Sequence, residues 1–326
     1  MNELSIINES VIDKEHIQIE KLLNEFYDSI DVVEETRKTY KKGIENFLKW
    51  VNDNDIKPID KKALLNYKQY LIQNYETTTA TTYLSGVRNF FNFLEELGIP
   101  NLMRNIKGVK VSREFKKQTL TKEQTNKILH NKEQNLNTLK DKRDYAIFNL
   151  LVHNGLRTIE LERANKSDIQ NVGGQFVLKI QGKGKTDKSQ ISVLTDSVLI
   201  PLWDYLNARG EDSFEPLFIG LSNRDYGSRL ITRSIRRIIK NMLVANGYNS
   251  KELTAHSLRH TALTFALKGG ATLQETKELG RHSDINTTLI YAHNIDRVEN
   301  APEYYVEKYL HNKPQKTANN EDKKED

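Results

Sequence analysis

Cysteine is absent from the 326 residues. That excludes disulfides, thiolate zinc sites and a cysteine nucleophile, and it fits a reducing compartment. No run of 18 apolar residues occurs, so no segment reads as a membrane span. The opening MNELSIINESVIDKEHIQIE has neither a basic stretch nor an apolar one, and it is not expected to act as a secretory leader. A cytoplasmic chain is the resulting expectation.

What is present fits a globular protein. Hydrophobic residues make up 37% and charged residues 29%, and the length suits one large domain or two ordinary ones. Net charge is +5 with a pI near 9.0, a modest excess whose placement matters more than its size. In RNIKGVKVSREFKKQ, residues 104–118, six of fifteen side chains are Lys or Arg and only Glu114 is acidic. This stretch reads as a basic inter-domain linker. A solvated connector explains it, and so does a strap along a phosphate backbone, because every neutralised phosphate releases counterions.

Residues 16–103 read as helical. Ile19, Leu22, Leu23, Phe26, Tyr27 and Ile30 keep the i, i+3, i+4 rhythm. A second helix from near Glu34 carries Tyr40, Ile44, Phe47, Leu48 and Val51 on one face, and its opening turns expose Arg37, Lys38, Lys41 and Lys42. DKKALLNYKQYLIQ makes a third, with Asp60 as N-cap. TATTYLSGVRNFFNFLEELG makes a fourth that ends at Gly98 before Pro100. Four amphipathic helices with short loops predict a compact bundle, preceded by an extension over 1–15.

From residue 119 the pattern becomes mixed. Thr121 and Gln124 form a capping box, and DKRDYAIFNLLVHNG reads as a buried helix ending at Gly155. FVLKIQG and SQISVL flank KGKTD, which predicts a hairpin over 176–194 with a lysine-rich loop. The rest, to residue 312, is again helical, and residues 313–326 form a polar tail expected to be disordered. The fold class is therefore mainly α with a small antiparallel sheet.

Three clusters in the second region could carry chemistry: NGLRTIEL with Arg157, HSLRH with His256 and Arg259, and GRHSDINTTLIYAH with His282 and Tyr291. Lys183 of QGKGK lies between the first two. Each has a structural explanation when taken singly. Together they supply what phosphoryl transfer to a tyrosine requires without a metal. Guanidinium forks answer the negative charge that builds on a phosphodiester. A phenol forms a covalent intermediate that conserves the bond energy, a lysine protonates a departing oxygen, and imidazoles bond the phosphate or move the phenolic proton.

These clusters resemble, in order and spacing, the boxes of tyrosine recombinases of the phage-integrase and Xer-like group. The step of 23 residues from Arg259 to His282, then nine to Tyr291, matches that family's register. T-x-x-T-Y followed by F-L-K-W at 36–50 and YLSGVRNFFNFLEELGI at 83–99 resemble its helical, SAM-like core-binding domain, which precedes a mixed α/β catalytic domain over 119–312. The resemblance implies that Arg157 and Arg259 clamp the scissile phosphate and that Lys183 is the general acid, with Lys185 and Lys188 as rivals. It implies that His256 and His282 bond the phosphate, His256 being favoured for proton transfer, and that Tyr291 forms a 3′-phosphotyrosine. It implies, too, that Glu160 supports the site by orienting an Arg or a His.

The expected activity is site-specific DNA strand exchange in a tetramer through a Holliday junction, for integration, excision or dimer resolution. No metal or other cofactor is expected, and the location is cytoplasmic, at the nucleoid. The expected DNA contacts are Arg37, Lys38, Lys41, Lys42, Arg88, Lys107, Lys110, Arg113, Lys116 and Lys117. Arg233, Arg236, Arg237 and Lys240 form a further basic helix that is either solvated or turned to DNA. The segment 301–310, with Tyr304, Tyr305, Val306, Tyr309 and Leu310, is expected to dock on a neighbouring protomer. His260 and His293 read as structural or peripheral, His153 as packed near a helix end, Trp50 and Trp203 as core, and Arg281 as facing solvent or a phosphate. The alternatives are a type IB topoisomerase-like enzyme and a catalytically silent DNA-binding accessory factor.

Overall fold

A computed structural model of the chain describes residues 12–110, 118–182, 184, 186–292 and 302–311. Lys183, Lys185, Arg113, Lys116, Lys117, His293 and the polar tail lie outside the described residues. The chain divides into two units, with the boundary between Arg113 and Glu114.

The first unit holds four helices: α1 (Ile12–Ser29), α2 (Glu34–Asp53), α3 (Lys61–Asn74) and α4 (Thr77–Glu96). Asp60 caps α3 as the sequence predicts, its Oδ1 accepting from the Ala63 amide at 2.7 Å. Helix α4 ends where Gly98 turns left-handed, at φ +84°, and the Ile99 amide donates back to the Leu94 carbonyl at 2.9 Å. The apolar faces meet in a core built on Phe26, Ile44, Phe47, Leu64, Tyr67, Leu84 and Val87, each at most 2% exposed. Each such burial contributes roughly 1.5–3 kcal/mol. Helices α2 and α4 cross closely because Gly43 and Gly86 lack side chains: a Cβ on either would come within 2.9 Å of the other helix's backbone.

The opening of the basic stretch seats against this same core. Met103 and Ile106 are buried and Val109 packs alongside, while Arg88 donates to the Ile106 carbonyl at 2.8 Å. Lys107 and Lys110 remain exposed. On α2, Arg37 and Lys38 each meet a glutamate of the first turn at 3.4 Å. Lys41 lies over the Tyr27 ring, and Lys42 is exposed. Exposed pairs of this kind are worth only a few tenths of a kcal/mol, so they do not commit the two cations.

In the second unit the capping box of Thr121 and Gln124 starts α5 (Lys122–Glu133). Helix α6 (Leu139–Asn154) is buried over most of its length and packs on α8 (Asp196–Arg209) and α10 (Ala255–Lys268). A short α7 (Thr158–Arg163) follows. The hairpin forms as expected from β2 (Gln175–Ile180) and β3 (Gln190–Val193), with Val177 opposite Val193 and Ile180 opposite Gln190. A third strand, β1 (Ile169–Val172), pairs antiparallel with β2 and was not foreseen. The remaining helices are α9 (Thr232–Ala245), α11 (Leu273–Gly280), α12 (Asn286–Ala292) and α13 (Pro302–His311).

Two minor expectations need correction. Trp203 is 36% exposed and meets Phe176 edge-on at 5.8 Å, so it flanks the sheet rather than filling the core. His153 is exposed and bonds the Asn149 carbonyl of its own helix through Nδ1 at 3.1 Å. Among the described residues no helix is long and apolar enough to cross a membrane.

Candidate active site

Four chain segments of the second unit converge on one pocket. The first is the α6–α7 junction. Gly155 closes α6 in the left-handed conformation, at φ +57°. A side chain there would be strained, and its Cβ would sit 3.3 Å from the Ala262 Cβ. The turn delivers Arg157 to the start of α7, with Glu160 one turn on. Glu160 is 2% exposed, and its carboxylate accepts from the Arg157 amide at 2.8 Å and from Arg157 Nη1 at 2.8 Å.

The second segment is α10. The spacing of HSLRH places 256, 259 and 260 on one helical face. His256 in the first turn is exposed, whereas Arg259 and His260 are 1% and 6% exposed. The Arg259 guanidinium donates to the Gly155 carbonyl at 2.6 Å and to the Gly280 carbonyl. Among the described residues it forms no ion pair with a carboxylate.

The third segment is the end of α11. Here Arg281 does not face solvent. It adopts a left-handed φ of +48° and turns inward, its side chain 4% exposed. Nη2 donates to Glu160 Oε2 at 3.0 Å and to the Gly155 carbonyl at 3.0 Å. His282 follows, with Nδ1 2.9 Å from the hydroxyl of the buried Thr288. The fourth segment is α12, which carries Thr288 and, one turn later, Tyr291, only 3% exposed. The Tyr291 ring stacks nearly parallel to His282, with centroids 6.2 Å apart.

The imidazole bonded to the nucleophile candidate is one that sequence reasoning set aside. His260 Nδ1 lies 2.5 Å from the Tyr291 hydroxyl, and its ring meets His256 edge-on at 4.4 Å. His260 is therefore not peripheral. Its signal was available in the second His of HSLRH, four residues after His256 on the same face.

Charge in the pocket is unbalanced: two guanidiniums hold one carboxylate, and a third, Arg259, is buried nearby on backbone carbonyls. Burial works against ionised Glu160, yet Arg281 and the bonds from Arg157 outweigh it and hold the carboxyl below its ordinary value. Burial, with Arg157 and Arg281 nearby, brings Arg259 down to about 9, which leaves it protonated at neutral pH. Burial and the same arginines push His282 down to about 4, so it is a neutral imidazole. Burial raises the Tyr291 phenol to about 12, although Arg259 and Arg157 pull the other way. An electropositive, largely buried pocket of this kind favours an anion. A unit charge at about 4 Å interacts on the order of 4 kcal/mol at an effective dielectric near 20.

Of the lysines in the β2–β3 loop, Lys188 is held by an ion pair with the buried Asp168, while Arg163 donates to the Gly182 carbonyl at 3.2 Å. Arg233, Arg236 and Arg237 of α9 are exposed, and Lys240 donates to the Ser250 carbonyl at 2.6 Å.

Comparison with known proteins agrees with this geometry. Residues 118–297 match the phage integrase family, and residues 23–98 match the phage integrase N-terminal SAM-like domain. Tyrosine recombinase XerD of Oceanobacillus iheyensis is 30% identical over 272 residues, spanning 79% of this chain and 87% of that protein. Tyrosine recombinase XerC of Thermodesulfovibrio yellowstonii is 29% identical over 268 residues, spanning 79% and 85%. Among solved structures, the post-cleavage complex of the XerH site-specific recombinase with palindromic difH substrate superposes with a TM-score of 0.69 at 20% identity, over 83% of this chain and 80% of that one. A lambda integrase tetramer bound to a Holliday junction superposes with a TM-score of 0.60 at 16% identity, over 84% and 76%. The chain therefore belongs to the phage integrase family, the tyrosine recombinases, enzymes that break and rejoin DNA strands.

Proposed function

We propose that this chain is a site-specific recombinase that exchanges DNA strands through a 3′-phosphotyrosine. The observation that carries the reading is the joining of Arg157 and Arg281 on the Glu160 carboxylate, with Arg259 and the Tyr291 phenol buried beside them. Arg157 and Arg259 bind the non-bridging oxygens of the scissile phosphate, where planar donors answer the charge that develops during attack. His282, neutral, and His256, exposed at the pocket mouth, bond the same phosphate. The Tyr291 hydroxyl passes its proton to His256 as its oxygen bonds to phosphorus and the bond to the 5′ oxygen breaks, and Lys183 supplies the proton that the departing oxygen takes. A DNA hydroxyl reverses the step on the other strand, so the bond energy is retained.

The exposed cations of the first unit, Lys38, Lys41, Lys42, Lys107 and Lys110, with Arg37 and Arg88, track the DNA backbone. Arg113, Lys116 and Lys117 extend that strap. The reading of a dimer on each site and a tetramer in synapsis is supported by lambda integrase, which shares this fold and is known as a dimer on a core site and a tetramer on a Holliday junction. Helix α13 supplies the contact between protomers, and the enzyme acts at the nucleoid in the cytoplasm.

The test is incubation with a nicked suicide site from the native host in EDTA, followed by denaturing electrophoresis. A covalent 3′ adduct is expected with the native chain and none with Tyr291→Phe. No adduct, or one that survives Tyr291→Phe, rejects the reading. Relaxation of plasmids that lack any cognate site would favour a topoisomerase instead.

A further inference from the structure

The bond between His260 and Tyr291 has no part in the roles assigned above, yet it holds the phenolic hydroxyl directly. Both groups are buried, His260 in the second turn of α10 and Tyr291 in α12. The hydroxyl sits 2.5 Å from Nδ1, and the two rings lie 5.2 Å apart at a tilt of 37°. With the His282 ring nearly parallel to it at 6.2 Å, the phenol meets two imidazoles from separate segments.

We propose that His260 is a positioning residue for the nucleophile: its Nδ1 accepts the Tyr291 hydroxyl and keeps the phenol, neutral and buried, beside the arginines until a phosphate enters. The inference rests on the recombinase reading for its consequence, though not for its geometry. Transfer of the phenolic proton to His260 before DNA arrives is disfavoured. Arg157, Arg259 and Arg281 already crowd the pocket with positive charge, and an imidazolium would add to it. Burial and then the same charge depress His282. A neutral imidazole that accepts through Nδ1 leaves the phenol protonated, and so unreactive, yet aimed. An entering phosphodiester offsets the guanidinium charge and offers the hydroxyl a new partner.

The acceptor atom makes the role testable. Asn places Oδ1 close to the position of Nδ1 and accepts a hydrogen bond, but it cannot take up a proton. Losing one hydrogen bond that orients a reacting group is expected to slow adduct formation on the suicide site by about tenfold or more in His260→Ala. DNA affinity by gel shift should stay unchanged, and His260→Asn should recover to within about threefold of the native rate. Equal defects in the Ala and Asn variants overturn the proposal, as does an undiminished rate in His260→Ala.

A second measurement needs neither DNA nor activity. In the full chain labelled with ¹⁵N-histidine, the Nδ1 resonance of His260 is expected to move between the native protein and Tyr291→Phe, which removes only the hydroxyl. An unmoved resonance overturns the proposal even if the adduct forms. A native chain that gives no adduct but shows the shift rejects the recombinase reading and leaves the bond standing.

Discussion

The side chain of Arg281 reaches across from the end of α11 to lie 3.0 Å from Glu160 Oε2, on a carboxylate that Arg157 already holds from the other side at 2.8 Å. Glu160 thus joins two guanidiniums from segments more than a hundred residues apart in sequence. The carboxylate side chain has no solvent exposure. Removing it leaves two cations facing each other without their common partner.

Glu160→Ala is therefore expected to destabilise the chain by about 3–5 kcal/mol, the range for breaking one side of a buried pair. Urea unfolding followed by circular dichroism measures it. Adding Arg281→Ala removes one stranded charge, so the double variant is expected to lose less than the sum of the single losses. Additive losses would show that the pair is not coupled.

Lowered pH should loosen the same pocket. His282 is held near 4 in the folded chain and returns to about 6.5 when unfolded. Between those values the unfolded state binds more protons than the folded one, so stability falls as pH drops through that window and is fully present above it. The melting temperature is expected to fall more between pH 7 and pH 5 in the native chain than in His282→Asn, where nothing titrates at this position. Parallel declines would place the pH sensitivity elsewhere.

The parts legible in the sequence were those with a repeating physical constraint. Phe47, Leu84 and Phe90 recur at helical spacing because one face of each bundle helix must be buried, and Thr121 with Gln124 announces a helix start by chemistry. Strand β1 carries no such mark, since only Ile169 of its four residues is partly buried and no alternation develops. In the pocket, the spacing of Arg259, His282 and Tyr291 was readable because one pocket has to gather them. Arg281 was not, because its inward turn depends on a left-handed backbone that an arginine seldom adopts. His260 was visible, but whether it faced the phenol or the core was fixed only by the placement of α12.

The general acid can be separated from its neighbours. Lys188 is committed to Asp168, which leaves Lys183 and Lys185, and Lys183 is the proposed proton donor. Lys183→Ala is expected to cut adduct formation on an ordinary site by about 100-fold or more, within the usual range for general acid catalysis, whereas Lys188→Ala changes it little. Replacing the bridging 5′ oxygen with sulfur supplies a leaving group that departs as a thiolate, with a pKa near 8.5, and needs no proton. Lys183→Ala is then expected to regain most of its rate on the thio substrate. Failure to regain it would move the proton donor to another residue.

Helix α13 leaves Tyr309 and Leu310 at 83% and 72% exposure, with Tyr304 and Val306 at 58% and 59%; the Tyr305 side chain lies outside the described residues. Apolar surface of this extent on a short helix is costly to leave in water. A neighbouring protomer that covers it gains the burial of two or three anchors, each worth about 1–2 kcal/mol at an interface. Tyr309→Ser with Leu310→Ser is therefore expected to leave adduct formation by a single bound protomer intact and to weaken tetramer assembly on a preformed Holliday junction by tenfold or more, roughly one anchor's worth. Light scattering of the protein–junction complex reads the assembly, and the suicide site reads the chemistry. If the double variant instead lowers the melting temperature of the free protein and abolishes cleavage while assembly is spared, the helix packs on its own domain. The proposed contact between protomers then uses another surface.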